Sequence, residues 1–472
     1  MAERCVRGSE HNEAFNVPDP PKTFLMTKPV LFWFRNDLRL HDHPALQAAL
    51  ASGAPEILPV YCHGIPDECS VWGFARVGRH RRHWTDSAVG GLATELQSRG
   101  SSLVQCQGDP REVIPVVAHA VGATDIFCEA IAAPYEEADV QGLRKAGLTV
   151  HTVWQSSLLN PGDLPFNTSE LPDSFTAFRG AVERAGVAPP EPWPRPVQMP
   201  TCPSTIEVIK ALDAMGAMRP NNPSRAVKPV DHRASLPYTE PAFSGSEKDG
   251  LAHLDRYLKA RLPHTYKATR NNLTGIDYSS KWSAWLATGA LSAREIFARL
   301  RRFEDVHGAN EGTYWLWFEL LWRDYFRFLH LQYGARLYRK NGLTKEHGSR
   351  KTTRAQVYDH DEDGFRRWCD ARTGEPLVDA AMHELQTTGF LSNRLRQIVA
   401  SYLIYEINGD WRAGAAWFES QLLDFDPYSN QANWLYIAGK GTDPRGGRRF
   451  NIQKQARQYD PDGAYVRLWS RA

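Results

Sequence analysis

The 472-residue sequence has few cysteines, lacks long apolar runs and shows no clear excess of either charge. Its seven cysteines are scattered without CxxC or other metal-ligand spacing. This pattern fits free thiols in a reducing compartment and argues against a disulfide framework or a metal site. No run approaches the roughly 18 apolar residues that a membrane span needs. The formal net charge of +2 does not indicate a nucleic-acid partner, so any such surface must be a local patch.

The N-terminal stretch, residues 1–28, carries four acidic side chains and no apolar core. Signal peptides need an apolar segment and transit peptides are poor in acids, so we expect a disordered leader here. The sequence leaves the cellular compartment open, organelle import included.

Residues 29–155 alternate short apolar strands with helical patterns. The predicted strands are Val30–Phe34, Ile57–Tyr61, Leu103–Gln105, Ile126–Cys128 and Val150–Trp154, and the predicted helices are Ala45–Ala51, Arg79–Leu96, Val113–Ala120 and Glu136–Lys145. Strands joined by helical crossovers indicate an α/β domain with a doubly wound parallel sheet. The first strand is followed by Arg35-Asn36-Asp37 instead of GxGxxG, so the dinucleotide-binding fingerprint is absent.

Residues 156–250 hold fifteen of the 31 prolines. Because proline lacks an N–H donor and blocks regular structure, this segment predicts a long connector draped over the surface. Residues 251–472 show a largely helical pattern. The expected architecture is therefore an N-terminal α/β domain and an all-α C-terminal domain joined by a proline-rich connector.

Ten of the fifteen tryptophans lie at or beyond Trp282. Such an accumulation is typical of a large aromatic core, and composition alone favours that interpretation. The alternative is a flavin environment with partners for electron transfer.

One carboxylate lies within an aromatic stripe in residues 315–327, WLWFELLWRDYFR. On a helix, Trp315, Glu319, Trp322 and Phe326 share one face. Desolvation there would raise the pKa of Glu319 and let it donate a proton or a hydrogen bond. The alternative is a carboxylate neutralised by Arg323, one helical turn later.

Two further motifs carry polar groups in apolar surroundings. Asp424 and Asp426 are two residues apart and would point the same way in an extended segment, where they could accept from a heterocycle, sugar hydroxyls or a divalent metal. Asn430 adds an amide one turn later. The alternative for Asp426 is a helix N-cap before Pro427.

The second of these motifs, Asp277-Tyr278-Ser279-Ser280-Lys281-Trp282-Ser283, precedes an apolar helix. Hydroxyls, backbone N–H groups and a positive helix end can hold a phosphate. An ordinary serine N-cap is the commoner explanation.

A basic set near the C-terminus is interleaved with aromatic residues. Arginines beside exposed aromatics suit single-stranded nucleic acid, although a solvated basic face is the usual explanation for such a run. The basic residues are Arg394, Arg396, Arg445, Arg448, Arg449, Lys454 and Arg457, and the aromatic ones are Trp434, Tyr436 and Phe450.

In their order along the chain and in their residues, these motifs resemble the cryptochrome/photolyase family over nearly the whole chain. Residues 30–44 resemble the family's opening strand and turn. The segments 266–271, 318–328 and 391–401 are similar to the DASH branch in particular. The resemblance implies a C-terminal domain that binds FAD.

By resemblance, specific residues acquire roles toward the flavin. The implied cofactor-binding residues are Tyr257, Ser280, Lys281, Ser283, Asn393, Arg396, Asp424, Asp426 and Asn430, with Arg396 paired to Asp424. The implied catalytic residues are Glu319, Trp322, Asn393 and Asn430, and the implied electron relay is Trp434, Trp411 and Tyr358. Family members generally have tryptophan at the outermost position, so Trp368 is an alternative to Tyr358.

The resemblance implies light-driven repair of cyclobutane pyrimidine dimers by electron transfer from excited reduced FAD. Arg394, Gln397, Tyr436 and Arg449 would contact DNA. Gln397 and Tyr436 stand where photolyases that act on duplexes usually have Met and Trp, which implies a wider, more polar pocket and a preference for single-stranded DNA. RNA and duplex DNA are further expected partners, and the chain is expected to be monomeric.

The sequence leaves open which function the flavin serves and which antenna is bound. The same flavin could serve a blue-light receptor that signals without repair, or a nucleic-acid binder without turnover. DASH members typically bind methenyltetrahydrofolate (MTHF) as an antenna through an acidic residue, here displaced to Glu129 or lost. Folate is the first expectation, with a deazaflavin or no antenna as alternatives.

Overall fold

The computed structural model describes residues 26–219, 229–344, 360–443 and 446–470. Most of the predicted leader, the predicted relay residue Tyr358 and the basic residue Arg445 lie outside these ranges.

The N-terminal domain contains a five-stranded parallel sheet of order β3-β2-β1-β4-β5. The central strand β1 reads VLFWF and is buried throughout, because helices cover both faces of a doubly wound sheet. This confirms the predicted α/β domain. The strands are β1 Val30–Phe34, β2 Ile57–Cys62, β3 Val104–Cys106, β4 Asp125–Glu129 and β5 Thr149–Val153.

Four helices connect these strands, each close to its predicted position. Three of them begin at a proline, whose fixed φ and missing N–H suit the first helical turn. Asp109 caps α3 by accepting from the N–H of Arg111. The helices are α1 Pro44–Ala51, α2 Arg79–Gln97, α3 Pro110–Ala120 and α4 Pro134–Lys145.

The proline-rich connector contains two helices that the sequence analysis missed, α5 Phe175–Ala185 and α6 Ile206–Ala214. Both lie in stretches without proline, and Ser174 caps α5 at its start. The interior of α5 is amphipathic, and its Phe175 and Phe178 are buried in the core of the helical domain. The prediction of an irregular connector was therefore wrong for these stretches.

The C-terminal domain is helical, as predicted. Its longest helix, α11, has an Asn310–Thr313 capping box and supplies residues to both apolar cores of the domain. The helices are α7 Glu247–Lys259, α8 Tyr266–Thr269, α9 Ser283–Thr288, α10 Ala293–His307, α11 Glu311–Tyr333, α12 Glu362–Cys369, α13 Pro376–Thr388, α14 Asn393–Tyr405, α15 Trp411–Gln421, α16 Pro427–Ala438, α17 Ile452–Tyr459 and α18 Ala464–Trp469. Among the described residues, none of these helices has the length and apolar character to cross a membrane.

Buried polar contacts join the two domains. The Arg39 guanidinium donates to the carbonyl of Gly289 at 2.9 Å, and Asp42 pairs with Arg294 at 3.0 Å. A cavity of about 380 Å³ lies at this junction, next to the carboxyl ends of β1 and β4.

Candidate functional site

A cavity of about 530 Å³ lies between α14, α16 and the segment that links α15 to α16. Phe418, Phe425 and Ile437 give it apolar walls. Seven residues predicted from the sequence line it: Asn393, Arg396, Gln397, Asp424, Asp426, Asn430 and Trp434.

Asp424 is the buried acceptor of a polar cluster at the cavity wall. Its carboxylate accepts from Arg396 at 2.8 and 2.9 Å and from the Ser283 hydroxyl at 2.7 Å. The predicted pairing of Arg396 with Asp424 is therefore present. Because α9, α14 and the 424 segment meet at this carboxylate, it ties together three separate parts of the chain.

Asp426 has a different set of partners. Its carboxylate accepts from Arg327 on α11 at 3.1 and 3.3 Å and from the Ser429 hydroxyl at 2.5 Å. Burial tends to raise the pKa of Asp426, but Arg327 and Arg323 outweigh burial and lower it below the ordinary value. Asp426 occupies the N-cap position of α16, as the alternative predicted, although its side chain accepts no capping bond from a backbone N–H.

Two asparagines on α16 contribute amides to the cavity wall. The Asn430 amide donates to the carbonyl of Ala415 at 3.0 Å, and the Asn433 amide donates to the carbonyl of Ser429 at 2.8 Å. These bonds fix both side chains on the backbone. Asn433 belongs to this wall without a predicted role.

The predicted phosphate-holding segment is only partly available to a ligand. Ser283 is exposed but donates to Asp424, and the Ser280 carbonyl accepts from His253 at 2.8 Å. Lys281 is 2% exposed, with its ammonium 3.1 Å from the centroid of the Tyr278 ring. Burial lowers the pKa of Lys281 well below its ordinary value. The Lys281 ammonium thus lies in the protein interior, and its role as a phosphate ligand stays a prediction.

Glu319 lies on α11 beside the end of α8. Its carboxylate pairs with Arg270 at 2.7 Å and is half-buried. Burial raises the pKa of Glu319, and the positive charge of Arg270 opposes the shift. Arg323 turns instead to the carbonyls of Ser156 and Leu286. The proposed neutralisation of Glu319 by Arg323 is therefore wrong, and Arg270 takes that place.

Arg270 and Asn271 link Glu319 to the cavity through Arg394, which contacts the cavity-lining Gln397. Asn271 accepts from Arg394 of α14 at 3.2 Å, so consecutive residues contact Glu319 and Arg394. Residues 266–271 resemble the DASH branch, but neither Arg270 nor Asn271 was among the predicted site residues. Their adjacency to Glu319 and Arg394 could not be read from positions far apart in the chain.

Aromatic side chains of α5, α11 and α16 pack against one another. The Trp322 ring stacks on Phe175 with centroids 3.8 Å apart, and it meets the Tyr436 ring edge-on at 6.2 Å. Tyr436 is half-buried under the Arg448 guanidinium, 4.8 Å from its centroid. Trp322 and Tyr436 thus pack against each other, with Glu319 one helical turn before Trp322 on α11.

The residues predicted to contact nucleic acid differ in their exposure and in their side-chain partners. Arg394 is half-buried and lies 4.8 Å from the Tyr459 ring centroid, and it also approaches Gln397 at 3.4 Å. The Arg449 side chain is 66% exposed and pairs with Glu406 at 3.0 Å. Trp434 is 2% exposed, so it cannot stack with an external base.

The two described members of the predicted relay are both buried. Trp434 lines the cavity and packs against Gly414 of α15, where a Cβ would lie 2.2 Å from the indole. The Trp411 indole donates to the carbonyl of Lys340 at 3.0 Å.

The predicted antenna acid, Glu129, ends β4 and is 2% exposed. One of its oxygens has no hydrogen-bond partner among the described residues, and burial raises its pKa to about 8. The following loop is covered by Tyr428, whose hydroxyl accepts from the N–H of Ala132 at 2.7 Å. Glu129 also lines the cavity at the domain junction, so its role as an antenna ligand stays a prediction.

Comparisons with known proteins agree with this geometry. Residues 315–471 match the FAD binding domain of DNA photolyase, and residues 30–197 match the DNA photolyase domain. Cryptochrome DASH of Gloeobacter violaceus is 41% identical over 453 residues, which cover 94% of this chain and 86% of the relative. The chain belongs to the DASH branch of the cryptochrome/photolyase family.

Solved structures of this family show the same fold. A Synechocystis cryptochrome superposes with a TM-score of 0.78 at 40% identity, covering 94% of this chain and 89% of that one. A class III photolyase of Agrobacterium tumefaciens gives a TM-score of 0.71 at 27% identity, with coverages of 95% and 87%.

The residues of this DASH-family chain fit FAD. Buried polar atoms without partners among the described residues adjoin the 277–283 segment: the hydroxyls of Tyr257 and Tyr278 and the indole N–H of Trp282. Such atoms need a partner, and the phosphates and hydroxyls of FAD are suitable ones. Tyr257, Trp282, Asp424 and Asp426 would hold the cofactor.

Proposed function

We propose that this protein is a light-driven enzyme that splits cyclobutane pyrimidine dimers, preferentially in single-stranded DNA. The observation that carries the proposal is Glu319, a half-buried carboxyl of raised pKa. Its partner Arg270 is followed by Asn271, which contacts Arg394, and Arg394 contacts the cavity-lining Gln397.

Reduced FAD, when bound, supplies the light-excited electron donor. Glu319 would donate a hydrogen bond to a carbonyl of the dimer and stabilise the negative charge that develops there. For this, Glu319 must carry a proton. Arg270 favours the carboxylate and burial favours the acid, so an apolar substrate that deepens burial shifts Glu319 toward the donating form.

The preference for single strands follows from cost and from the character of the rim. A dimer must leave the base stack to reach the cavity, at a cost of a few kcal/mol that is smallest for single strands. Gln397 lines the cavity with a polar side chain, and Tyr436 is half-buried between Trp322 and Arg448, so neither serves as a large apolar wedge to hold a duplex open. Duplex DNA and RNA are weaker partners in this proposal, and the active species is a monomer.

The proposal includes no antenna step. A folate antenna stays a prediction of the family resemblance, with Glu129 at the junction cavity as its candidate ligand.

The test illuminates purified, reduced protein with an oligonucleotide that contains one dimer, in single-stranded and duplex form. We expect dimer loss, faster in the single strand, and a lower yield for Glu319→Ala at unchanged flavin content, because alanine removes the hydrogen-bond donor. Glu311→Ala, on the exposed first turn of the same helix, serves as the matched control. An unchanged dimer in both substrates would reject the proposal.

A second candidate is a blue-light receptor, favoured by the buried Trp434 in the cavity wall. Light would then change a partner interaction or the oligomeric state, and Glu319→Gln would leave that response intact. Comparing the elution volume of dark and illuminated protein during size-exclusion chromatography distinguishes this candidate from repair alone.

A further inference from the structure

Two free cysteines stand side by side at the carboxyl end of the parallel sheet. Cys62 is the last residue of β2, Cys106 is the last residue of β3, and the two are partners in the β2–β3 ladder. Cys106 belongs to an apolar core of the N-terminal domain and Cys62 packs against it, so both side chains lie on one face of the sheet. Neighbouring strands are about 4.8 Å apart, and a disulfide spans about 4.4–6.8 Å between Cα atoms. The ladder therefore places the two thiols where a disulfide can join them.

Backbone hydrogen bonds hold the two cysteines together beyond the end of the ladder. The N–H of His63 donates to the carbonyl of Cys106 at 2.8 Å, and the N–H of Gly108 donates to the carbonyl of Gly64, also at 2.8 Å. The Cys62 sulfur lies 3.5 Å from the carbonyl oxygen of Gly108. The residues that follow both cysteines are thus tied to each other, and the pair stays in register.

The two thiols have different surroundings, which suit different steps of an oxidation. Cys62 is half-buried, whereas Cys106 is completely buried. A hydrogen bond from the Cys106 thiol lowers the pKa of Cys62 below its ordinary value against the effect of burial, and the N–H of Gly64 adds to the lowering. The same interaction raises the pKa of Cys106. A solvent-accessible thiol of low pKa beside a second cysteine is the usual arrangement of a redox-sensitive pair.

We propose that Cys62 and Cys106 form a redox modification site, at which hydrogen peroxide oxidises Cys62 and Cys106 converts the product to a disulfide. This inference is independent of the proposed function, because the step involves neither the flavin nor DNA.

The reaction takes two steps. The Cys62 thiolate attacks the O–O bond, so that an S–O bond forms and hydroxide leaves, which the proton released by Cys62 neutralises. The Cys106 sulfur then attacks the sulfenic acid of Cys62. An S–S bond forms, the S–O bond breaks, and the second hydroxide leaves with the proton of Cys106. Two thiols and one peroxide thus give one disulfide and two waters, and a dithiol reductant reverses the change.

The segment between the two cysteines carries α2, which docks on the helical domain. The Trp84 indole donates to the carbonyl of Ala284 at 3.0 Å, and the Arg81 guanidinium donates to the carbonyl of Glu419 at 2.9 Å. A disulfide between Cys62 and Cys106 closes this segment into a covalent ring and restricts the unfolded chain. Oxidation should therefore raise the unfolding temperature of the protein.

Adjacent cysteines also pack as small apolar side chains, so the experiment must measure their chemistry. Reduced holoprotein is treated with hydrogen peroxide in the dark, free thiols are blocked with N-ethylmaleimide, and peptides are analysed by mass spectrometry without reduction. We expect a linked pair of peptides that contain Cys62 and Cys106, and dithiothreitol should restore both thiols. Cys62→Ser should lose the linked pair. Cys69→Ser should keep it, although Cys69 is the more exposed thiol.

Two further measurements separate the order of the steps from structural damage. Cys106→Ser removes the second thiol, so sulfenic acid should persist at Cys62 and be trapped by dimedone. Should the serine variant lose its flavin, Cys106→Ala gives the same reading without a buried hydroxyl. The unfolding temperature of the wild type should rise on oxidation, and that of Cys62→Ser should not.

The outcomes that contradict the inference are specific. Oxidation of Cys69 while Cys62 stays a free thiol would overturn the site, and so would sulfenic acid that persists at Cys62 in the wild type. Equal unfolding temperatures of the oxidised and reduced wild type would overturn the stabilising effect of the bond.

Discussion

At the scale of single residues, the site is organised by carboxylates whose partners decide their charge. Asp424 is surrounded by Arg396 and Ser283, whereas Glu319 has the single cation Arg270 and aromatic neighbours. The same chemical group thus acts as a fixed anion in one place and as a potential donor in the other. This division is what a cavity needs if it is to hold one ligand and act on another.

Asp424→Asn should weaken FAD binding. The substitution keeps the shape but removes the charge, leaving Arg396 without its buried counter-ion. We expect a loss of about 3 kcal/mol, or roughly a hundredfold in the FAD dissociation constant. Flavin content after dialysis and a fluorescence titration measure it. The matched control is Glu406→Gln, which breaks the exposed pair with Arg449 and should leave FAD affinity unchanged.

At the scale of elements, the packing of α15 against α16 positions Trp434. Gly414 provides the close approach, since a Cβ there would lie 2.2 Å from the Trp434 ring. Gly414→Ala should therefore destabilise the protein by about 1–3 kcal/mol despite the better helix propensity of alanine. Gly90→Ala, in α2 with open space around it, should instead stabilise by about 1 kcal/mol. Thermal unfolding of both variants checks the contrast, and equal shifts would contradict it.

The docking of α18 on α13 depends on a buried carboxyl. Glu384 accepts from the Tyr465 hydroxyl at 2.5 Å, and burial raises its pKa to about 8. Unfolded Glu384 titrates near its ordinary value, so between about pH 5 and 8 the folded state holds a proton that the unfolded state has lost. Stability must then fall as the pH rises, by at most about 1.4 kcal/mol per pH unit.

Glu384→Gln mimics the protonated carboxyl and should remove this dependence. We expect similar unfolding temperatures for wild type and variant near pH 5, and a more stable variant near pH 8. Glu362→Gln, at a side chain that is 68% exposed, should follow the wild type throughout. A difference between Glu384→Gln and wild type that stays constant with pH would show that Glu384 does not titrate in this range.

The sequence predicted the regular elements well where periodicity was strong. All five strands lie within two residues of their predicted ends, because buried parallel strands read as short apolar runs. Helices α5 and α6 were missed, since the surrounding prolines obscured their amphipathic pattern. Within the site, the pairing of Asp424 with Arg396 was predicted through family resemblance. The partners of Asp426 and Glu319 were not, because Arg327 and Arg270 reach them only through tertiary packing.

At the scale of the whole molecule, the near-neutral charge limits how DNA can be held. A formal charge of +2 gives no long-range attraction, so affinity must come from a few local arginines. Arg394 is half-buried against Tyr459, whereas Arg449 is mostly exposed and paired with Glu406. Of the two arginines predicted to contact DNA, Arg449 is therefore better able to exchange its partner for a phosphate.

Arg449→Gln should weaken single-stranded DNA binding to a similar degree for every sequence. One lost phosphate contact lowers the slope of log affinity against log salt by about 0.7 for a single strand. Fluorescence anisotropy over a salt series measures both quantities. Arg366→Gln, at a side chain that is 68% exposed and paired with Glu362 on α12, should leave the slope unchanged. Equal slopes for Arg449→Gln and wild type would place the phosphate contact elsewhere, and a changed sequence preference would mean that Arg449 contacts bases.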